Sequence, residues 1–317
     1  MFDLKGKKIW IPGARGMLGS ALVRRLKSEK CHLLTSDRQQ IDLRNQASTN
    51  AFVQENKPDA VLLCAATVGG IRANMERPAS FIYDNAMIEM NIIEAAHRND
   101  VSKVVFFGSS CMYPRLAEQP IREDALMTGP LESTNEAYAL AKLAGLAMIQ
   151  SYRRQYGRSY ISIIPTNLYG PNDHFFDNDG HVIAAMINRY HRAKEAGWIA
   201  DPIWGSGHVF REFLYVDDAA DAITHLMQSY DSDEPINVAG GEVVSILELA
   251  RIIAKIIGYT GQITCDTSKP DGAPRKGLNS DKLAQLGWFP KTSLHKGLEK
   301  TYADYLAHLH QMNEKRS

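Results

Sequence analysis

The sequence has no excess of charge of either sign and no long apolar run. Its 317 residues include 36 Lys and Arg against 36 Asp and Glu, so the formal net charge is zero. A neutral chain creates no overall field that would attract nucleic acid or an anionic membrane. No stretch approaches the roughly 20 apolar residues of a membrane span, and the first residues lack the apolar core of a signal peptide. We therefore expect a cytoplasmic protein that binds neither nucleic acid nor a membrane.

Cysteine is also scarce, and the four cysteines are not spaced as metal ligands or as a disulfide framework. The four cysteines are far apart, and no Cys-x-x-Cys pair occurs: Cys31, Cys64, Cys111 and Cys265. This pattern argues against a disulfide framework and against a structural zinc site, and we expect no bound metal. The length permits one large or two modest domains with a substantial core.

A glycine-rich turn lies close to the amino terminus. The apolar segment 8–12 is predicted to be a strand, and 20–26 a helix. Three glycines at a spacing of three residues separate these elements, which permits a tight turn facing a helix amino terminus, where a pyrophosphate binds. We expect the whole turn to contact a dinucleotide cofactor: Gly13, Ala14, Arg15, Gly16, Met17, Leu18 and Gly19.

The residues after the second predicted strand give mixed indications about the dinucleotide. Asp37 lies 18 positions after Gly19, where an acidic residue would bind the adenosine ribose of NAD. The neighbouring Arg38, and Arg15 inside the turn, instead suit the 2′-phosphate of NADP. We favour NADP. Ala65, in the small-residue end of the third strand, is expected to let the cofactor pass closely.

A second group of polar residues follows the apolar strand 104–107. Ser109 and Cys111 come just past its carboxyl end, which is where ligands bind in open α/β sheets. Tyr138 and Lys142 are spaced i, i+4 and share one helix face. The Lys cation should lower the pKa of the phenol, and the group could exchange a proton with a carbonyl oxygen. Tyr-x-x-x-Lys also occurs by chance, so its weight depends on the glycine turn and on Ser109.

The alternation of strands and helices up to residue 168 predicts an α/β fold with a doubly wound parallel sheet of the Rossmann type. The rhythm changes after Gly170, which indicates a smaller α/β domain that covers the cofactor. We expect residues 1–168 plus about 211–242 to bind the dinucleotide. Residues of about 169–210 plus 243–317 would bind the substrate. The loop 114–130 is expected to lie in solvent with Glu123 and Asp124.

These motifs, in this order, resemble the extended short-chain dehydrogenase/reductases that act on nucleotide sugars. Further segments resemble those members of the family that epimerise and reduce a GDP-sugar: 68–71, 108–114, 165–171, 180–183 and 204–207. The resemblance implies NADPH as hydride donor and a homodimer formed through a four-helix interface. It also implies additional cofactor contacts: Ser109, Ser110, Tyr138, Lys142, Pro165, Asn167, Leu168 and His181.

The same resemblance implies a 3,5-epimerase and 4-reductase acting on GDP-4-keto-6-deoxy-D-mannose. Cys111 would be the base and His181 the acid of the epimerisation. In the reduction, Tyr138 would protonate the C4 oxygen, Ser109 would bind that oxygen, and Lys142 would bind the ribose. Expected substrate contacts are Asn167, Arg189, Trp204, Arg211 and Asp271, and we rank Arg211 above Arg189.

Other functions stay open at this stage. The chain could be a 4-reductase or an epimerase of a related nucleotide sugar, including a reductase without epimerase activity. A 4,6-dehydratase is less favoured because of Cys111. A non-catalytic nucleotide-sensing protein of the same fold is less favoured again, since Ser109, Tyr138 and Lys142 are all present.

Overall fold

The structure is a computed structural model that describes residues 2–176, 180–269 and 271–314. Its largest element is a parallel sheet of six strands in the order β2-β1-β3-β4-β5-β9. The strands are β1 (Lys8–Pro12), β2 (His32–Ser36), β3 (Ala60–Leu63), β4 (Lys103–Phe107), β5 (Ser159–Pro165) and β9 (Ile236–Val238). The strand order reverses between β1 and β3, and such a switch point opens a ligand crevice at the carboxyl ends of the strands.

Helices cover both faces of this sheet. They belong to the ten helices of the described residues: α1 (Met17–Leu26), α2 (Gln46–Asn56), α3 (Ile71–Glu76), α4 (Pro78–Arg98), α5 (Glu136–Tyr156), α6 (Val182–Ala196), α7 (Val216–Ser229), α8 (Ile246–Ile257), α9 (Asp281–Gln285) and α10 (Leu294–Glu314). Alternate strand residues enter two separate cores. Ile9 and Val105 pack on the side of α1 and α7, whereas Trp10 and Phe106 pack on the side of α4 and α5. The predicted doubly wound parallel sheet is confirmed.

A smaller sheet follows in the second half of the chain. Its strands are β6 (Asn167–Tyr169), β8 (Phe210–Tyr215), β10 (Glu242–Ser245) and β12 (Arg275–Lys276). β8 pairs with the other three. A further pair joins β7 (Ile203–Trp204) to β11 (Cys265–Asp266). A third core, built mainly on α6, α8 and α10, packs beside β8. The chain passes from the large sheet to the small one between Pro165 and Asn167, so the two sheets meet at the carboxyl end of β5.

Glu212 of β8 binds three backbone groups near this junction. Its carboxylate accepts hydrogen bonds from the amides of Gly240 at 2.7 Å, Gly241 at 3.0 Å and Leu278 at 2.8 Å. The residue is 2% exposed. A carboxylate that receives several backbone N–H groups compensates its own desolvation. Glu212 thus ties the residues that follow β9 and β12 to the central strand of the small sheet.

Part of the loop 114–130 differs from the sequence-based expectation. Asp124 is exposed as predicted, but Glu123 is buried and accepts a hydrogen bond from the Asn237 amide at 3.0 Å. The prediction of a solvated Glu123 is therefore wrong, because β9 supplies a donor that lies 114 residues away. Among the described residues, no helix has the length and apolar character needed to cross a membrane.

Candidate active site

The glycine-rich turn fits closely against the end of β3. Gly13 has φ of +83°, and a Cβ on this residue would lie 2.8 Å from the Ala65 amide nitrogen and from the Cys64 carbonyl. A Cβ on Gly19 would collide with the Gly13 carbonyl. Only glycine meets both requirements. The turn leads into α1 at Met17, so the helix amino terminus faces the crevice, a fit for the pyrophosphate of a dinucleotide.

The charged residues expected to select the dinucleotide lie where the glycine-rich turn meets the end of β2. The Arg15 guanidinium forms an ion pair with the Asp37 carboxylate at 2.8 Å, and the Arg15 side chain is 83% exposed. Asp37 also accepts hydrogen bonds from the amides of Gln39 and Gln40. Arg38 is exposed. Arg15 and Arg38 thus lie on either side of Asp37, and the ion pair with Arg15 partly neutralises the carboxylate.

A short 3-10 turn at 110–112 holds the thiol beyond β4. The Ser109 hydroxyl accepts a hydrogen bond from the Cys111 amide at 3.2 Å, and Ser110 is buried. The Cys111 sulfur accepts a hydrogen bond from the Asn135 side-chain amide at 3.0 Å. The Asn135 Oδ1 atom is buried without a partner among the described residues. Asn135, which directly precedes α5, was not identified from the sequence.

The predicted pair of Tyr138 and Lys142 lies on α5, beside the carboxyl end of β4. Lys142 Nζ is 5.9 Å from the centre of the Tyr138 ring and donates to the Phe107 carbonyl at 2.9 Å. It also forms an ion pair with Glu89 Oε1 at 2.7 Å. Lys142 and Glu89 are 2% and 0% exposed. This buried carboxylate on α4 was not anticipated from the sequence.

The protonation of Tyr138 corrects one expectation. Burial raises the pKa of the phenol, and this effect outweighs the opposite influence of Lys142 and of the Ser109 hydroxyl. The prediction of a lowered pKa is wrong, because it counted the Lys cation but neither the desolvation nor Glu89, which neutralises that cation. Tyr138 consequently retains its proton and is available as an acid.

His181 occupies the N-cap position of α6 and contacts the segment that directly follows β6. Its Nδ1 atom lies 3.1 Å from the carboxyl oxygen Oδ1 of Asp173. The adjacent Asn172 donates to the Arg15 carbonyl at 2.6 Å. No hydrogen bond or ion pair within the described parts of the chain joins His181 to the cluster of Ser109, Cys111, Tyr138 and Lys142.

The residues expected to bind substrate surround the small sheet. Arg211 donates to the Ala273 carbonyl at 2.8 Å, and burial lowers the pKa of its guanidinium in spite of the nearby carboxylates. Asp271 accepts from the Ser206 amide at 2.6 Å, beside Trp204, which is 53% exposed.

The other expected contacts are held by backbone groups. Arg189 donates to the carbonyls of Asp201 and Pro202 just before β7. Asn167 of β6 donates to the Glu212 carbonyl at 2.8 Å. Pro165 and Leu168 lie at the junction between the two sheets. Asp271 thus lies against the turn that directly follows Trp204.

Two features define the class of this protein: a parallel dinucleotide-binding sheet, and a Ser-Tyr-Lys group at its carboxyl edge. Together they are typical of short-chain dehydrogenase/reductases. Residues 9–239 match the family described as "NAD dependent epimerase/dehydratase family". The chain belongs to this family, which confirms the resemblance seen in the sequence.

Individual relatives show members of this family that the chain is similar to in sequence and fold. The chain is 50% identical over 309 residues to GDP-L-fucose synthase of Sinorhizobium fredii, with 98% of each chain covered. Among solved structures it is similar to a GDP-6-OMe-4-keto-L-xylo-heptose reductase from C. jejuni, at 33% identity with a TM-score of 0.90, covering 96% and 98% of the two chains. It is also similar to a GDP-L-fucose synthetase from Naegleria fowleri bound to NADP, at 29% identity with a TM-score of 0.87 and 96% coverage of each chain.

Proposed function

We propose that this protein is a GDP-L-fucose synthase. It epimerises C3 and C5 of GDP-4-keto-6-deoxy-D-mannose and then reduces the C4 carbonyl. The observation that carries this proposal is the Cys111 thiol, which stands next to Ser109 in a site that also contains the Tyr138 phenol. A reductase needs the hydroxyl and the phenol, but an additional base is required to remove protons from carbon. The 50% identical relative of that name supports the same assignment.

The cofactor is NADP(H), which supplies the hydride that is added to C4. The tight turn from Gly13 to Gly19 and the adjoining Ala65 would hold its pyrophosphate. Lys142 would bind the nicotinamide ribose, close to Tyr138. Arg15 and Arg38 would face the 2′-phosphate, and the NADP-bound Naegleria relative supports this choice.

Epimerisation requires a base and an acid on opposite faces of the sugar. The C4 carbonyl acidifies the neighbouring C–H bonds, and Cys111 removes those protons. Asn135 donates a hydrogen bond to the Cys111 sulfur and so helps to orient it. Ser109 and Tyr138 donate hydrogen bonds to the enolate oxygen that develops. His181 donates a proton of its own from the other face, and the proton taken by Cys111 exchanges with solvent.

Reduction uses the same oxygen-binding pair. Tyr138 transfers its proton to the C4 oxygen as the alkoxide forms, and Ser109 holds that oxygen in place. The buried phenol suits this role because its raised pKa keeps it protonated beforehand. One oxygen site therefore serves both the enolate and the alkoxide, which explains how one pocket can perform both reactions.

The division of work between the two sheets follows from these roles. We propose that residues 1–168 plus about 211–242 form the cofactor domain, and that about 169–210 plus 243–317 form the substrate domain. Within this scheme the junction of β8 and α7 connects the two units. In the described part of the chain β8 pairs with strands of the small sheet, whereas α7, which directly follows it, packs on α1 of the cofactor domain. Arg211, Arg189, Asn167, Trp204 and Asp271 would contact the GDP-sugar.

Replacing Asp37 by Ser should increase the preference for NADPH over NADH by about tenfold, equivalent to about 1.4 kcal/mol. The substitution removes a carboxylate beside the 2′-phosphate and releases Arg15 from its ion pair. The ratio of kcat/KM values for the two cofactors measures the effect. Asp124→Ser is the control, because Asp124 is an exposed carboxylate that pairs with Arg122 and not with Arg15 or Arg38. An unchanged ratio in Asp37→Ser would contradict a role for this residue in cofactor selection.

We also propose a cytoplasmic homodimer in which α4 and α5 of each subunit form a four-helix interface. The two helices pack on each other and still expose apolar side chains: Ile82, Tyr83 and Met90 on α4, and Leu140 on α5. The four free cysteines suit a reducing compartment.

Replacing both Met90 and Leu140 by Glu should convert this dimer to a monomer, because two buried charges per subunit would face each other across the axis. Analytical ultracentrifugation measures the mass. Leu116→Glu is the control, since Leu116 is 82% exposed on the loop after β4. A monomeric wild-type protein at micromolar concentration would refute the interface.

The function itself is tested with GDP-4-keto-6-deoxy-D-mannose in deuterated water. The wild-type protein with NADPH should form GDP-L-fucose that carries deuterium at C3 and C5. Cys111→Ala should lose this incorporation. A reductase without epimerase activity is the second candidate, favoured by the similarity to the C. jejuni reductase. In that case NADPH would be consumed and neither carbon would acquire deuterium.

A further inference from the structure

The site contains an acidic residue that no step of the proposed reaction uses directly. Asp173 lies in the segment after β6, and its side chain is 1% exposed. Its Oδ1 atom is 3.1 Å from His181 Nδ1 and also accepts from the His174 amide at 2.8 Å. Its Oδ2 atom is buried and has no partner within the described residues. Burying a carboxylate costs free energy unless its oxygens are hydrogen-bonded or paired with a charge. The contact with the His181 imidazole therefore offsets part of the cost of burying Asp173.

The position of His181 makes such a partner necessary. The residue is the N-cap of α6, and the positive end of a helix dipole disfavours an imidazolium there. Partial burial also lowers the pKa of the ring, but the hydrogen bond and the charge of Asp173 outweigh burial, so the net pKa is raised. The contact also fixes the tautomer, because Nδ1–H donates to the carboxylate and Nε2 is left for the substrate.

We propose that Asp173 is a positioning residue of the epimerase reaction, which orients the His181 imidazole and maintains it as the proton donor to the sugar carbons. This inference rests on the proposed function. It assigns to Asp173 a role in epimerisation and none in hydride transfer, because Tyr138 supplies the proton in that step. The two reactions of the site should therefore respond differently to its loss.

A purely structural role for Asp173 predicts a different outcome. The hydrogen bond from the His174 amide could serve only to hold the turn. Loss of the turn would disturb both reactions in parallel, since the neighbouring Asn172 binds the Arg15 carbonyl of the glycine-rich turn. The ratio of the two rates therefore separates positioning from simple folding.

The test compares Asp173→Asn, Asp173→Glu and the wild type in two assays. Deuterium incorporation with inversion at C3 and C5 of GDP-4-keto-6-deoxy-D-mannose in deuterated water, resolved by NMR, reports epimerisation, because a deuteron returned by Cys111 to the original face leaves the configuration unchanged. Oxidation of GDP-L-fucose by NADP⁺, followed by NADPH absorbance, reports hydride transfer alone. Asp173→Asn should slow incorporation by roughly 10- to 100-fold through kcat, with KM little changed. Hydride transfer should stay within about threefold of wild type, and Asp173→Glu should recover part of the incorporation because it retains a carboxylate.

Asp304→Asn is the matched control. Asp304 accepts a hydrogen bond from the Asn172 amide at 2.8 Å, so it supports the same segment without contacting His181. It should leave the ratio of the two rates unchanged. Equal losses of both activities in Asp173→Asn, or undiminished incorporation, would overturn the inference while the proposed function stood.

Two further outcomes are decisive. Should Asp173→Asn fail to fold in thermal melts, the Glu variant decides: a larger loss of incorporation than of hydride transfer supports the inference, and parallel losses refute it. A wild-type protein that incorporates no deuterium would overturn the proposed function and this inference together.

Discussion

Replacing Tyr138 by Phe is expected to slow hydride transfer by about 10²- to 10⁴-fold, the usual contribution of a positioned general acid. The substitution removes only the hydroxyl, so the ring contact with Phe81 on α4 persists. Burial raises the pKa of the phenol and keeps it protonated. Without the Tyr138 hydroxyl, the C4 oxygen has the Ser109 hydroxyl alone as a donor. Single-turnover measurement with NADPH and the 4-keto sugar gives the rate. Deuterium incorporation should also fall, because the same hydroxyl binds the enolate oxygen.

The matched control is Tyr156→Phe. Tyr156 lies on the same helix as Tyr138 but stacks on His97 near the opposite end of α5, and it is 48% exposed. Its loss should leave both rates within about twofold of wild type, since surface substitutions seldom disturb a distant site. Retention of hydride transfer in Tyr138→Phe would show that water or another residue protonates the alkoxide, and the mechanism would have to be revised.

Sequence patterns predicted the parts of this site that depend on local order. The glycine turn was recognisable because strand, turn and helix follow one another within 20 residues. Its close approach to Ala65 could be expected from the parallel sheet, whose strands end at one edge. Ser109 and Cys111 follow the end of β4, and Tyr138 and Lys142 share a helix face. Each of these predictions requires only a strand end or a helical period.

Residues that complete the site from other elements were not predictable in this way. Glu89 reaches Lys142 from α4, across 53 positions of sequence, and nothing in its helical pattern marks it as buried. Asp173 lies in an irregular segment in which acidic residues are common. Glu123 was assigned to solvent because its neighbours are polar, yet it caps the Asn237 amide. Such contacts arise from packing between elements, which spacing in the sequence does not specify.

The error in the Tyr138 pKa has the same origin. Lys142 alone would lower the pKa of the phenol, as the i, i+4 spacing suggests. The buried Glu89 compensates the Lys cation, and desolvation acts on the phenol directly. A prediction from one pair of residues therefore had the wrong sign, because the larger influences come from the surroundings of the pair.

The Glu89–Lys142 pair should also dominate the stability of the site. Replacing Glu89 by Ala is expected to lower the free energy of unfolding by about 3 to 5 kcal/mol, the usual cost of leaving one buried charge without its partner. Within the described residues the buried Lys142 ammonium then keeps one hydrogen bond, to the Phe107 carbonyl at 2.9 Å. Denaturant unfolding at one fixed protein concentration measures the difference, since a dimer's stability depends on concentration. Glu76→Ala is the control, because Glu76 pairs with Arg72 and both side chains are more than half exposed. It should cost no more than about 1 kcal/mol.

A double variant distinguishes the charge from the packing. Glu89→Gln with Lys142→Met removes both charges and keeps similar volumes, so it should recover most of the stability that Glu89→Gln loses alone. It should nevertheless lack hydride transfer, because Met can neither bind the ribose nor place a cation near Tyr138. Recovery of stability without recovery of activity would mean that the buried pair is retained for chemistry and that Glu89 exists to make a buried Lys142 tolerable. Failure of the double variant to recover would instead assign the cost of Glu89→Gln to the tight packing of its carboxylate against Gly145 on α5.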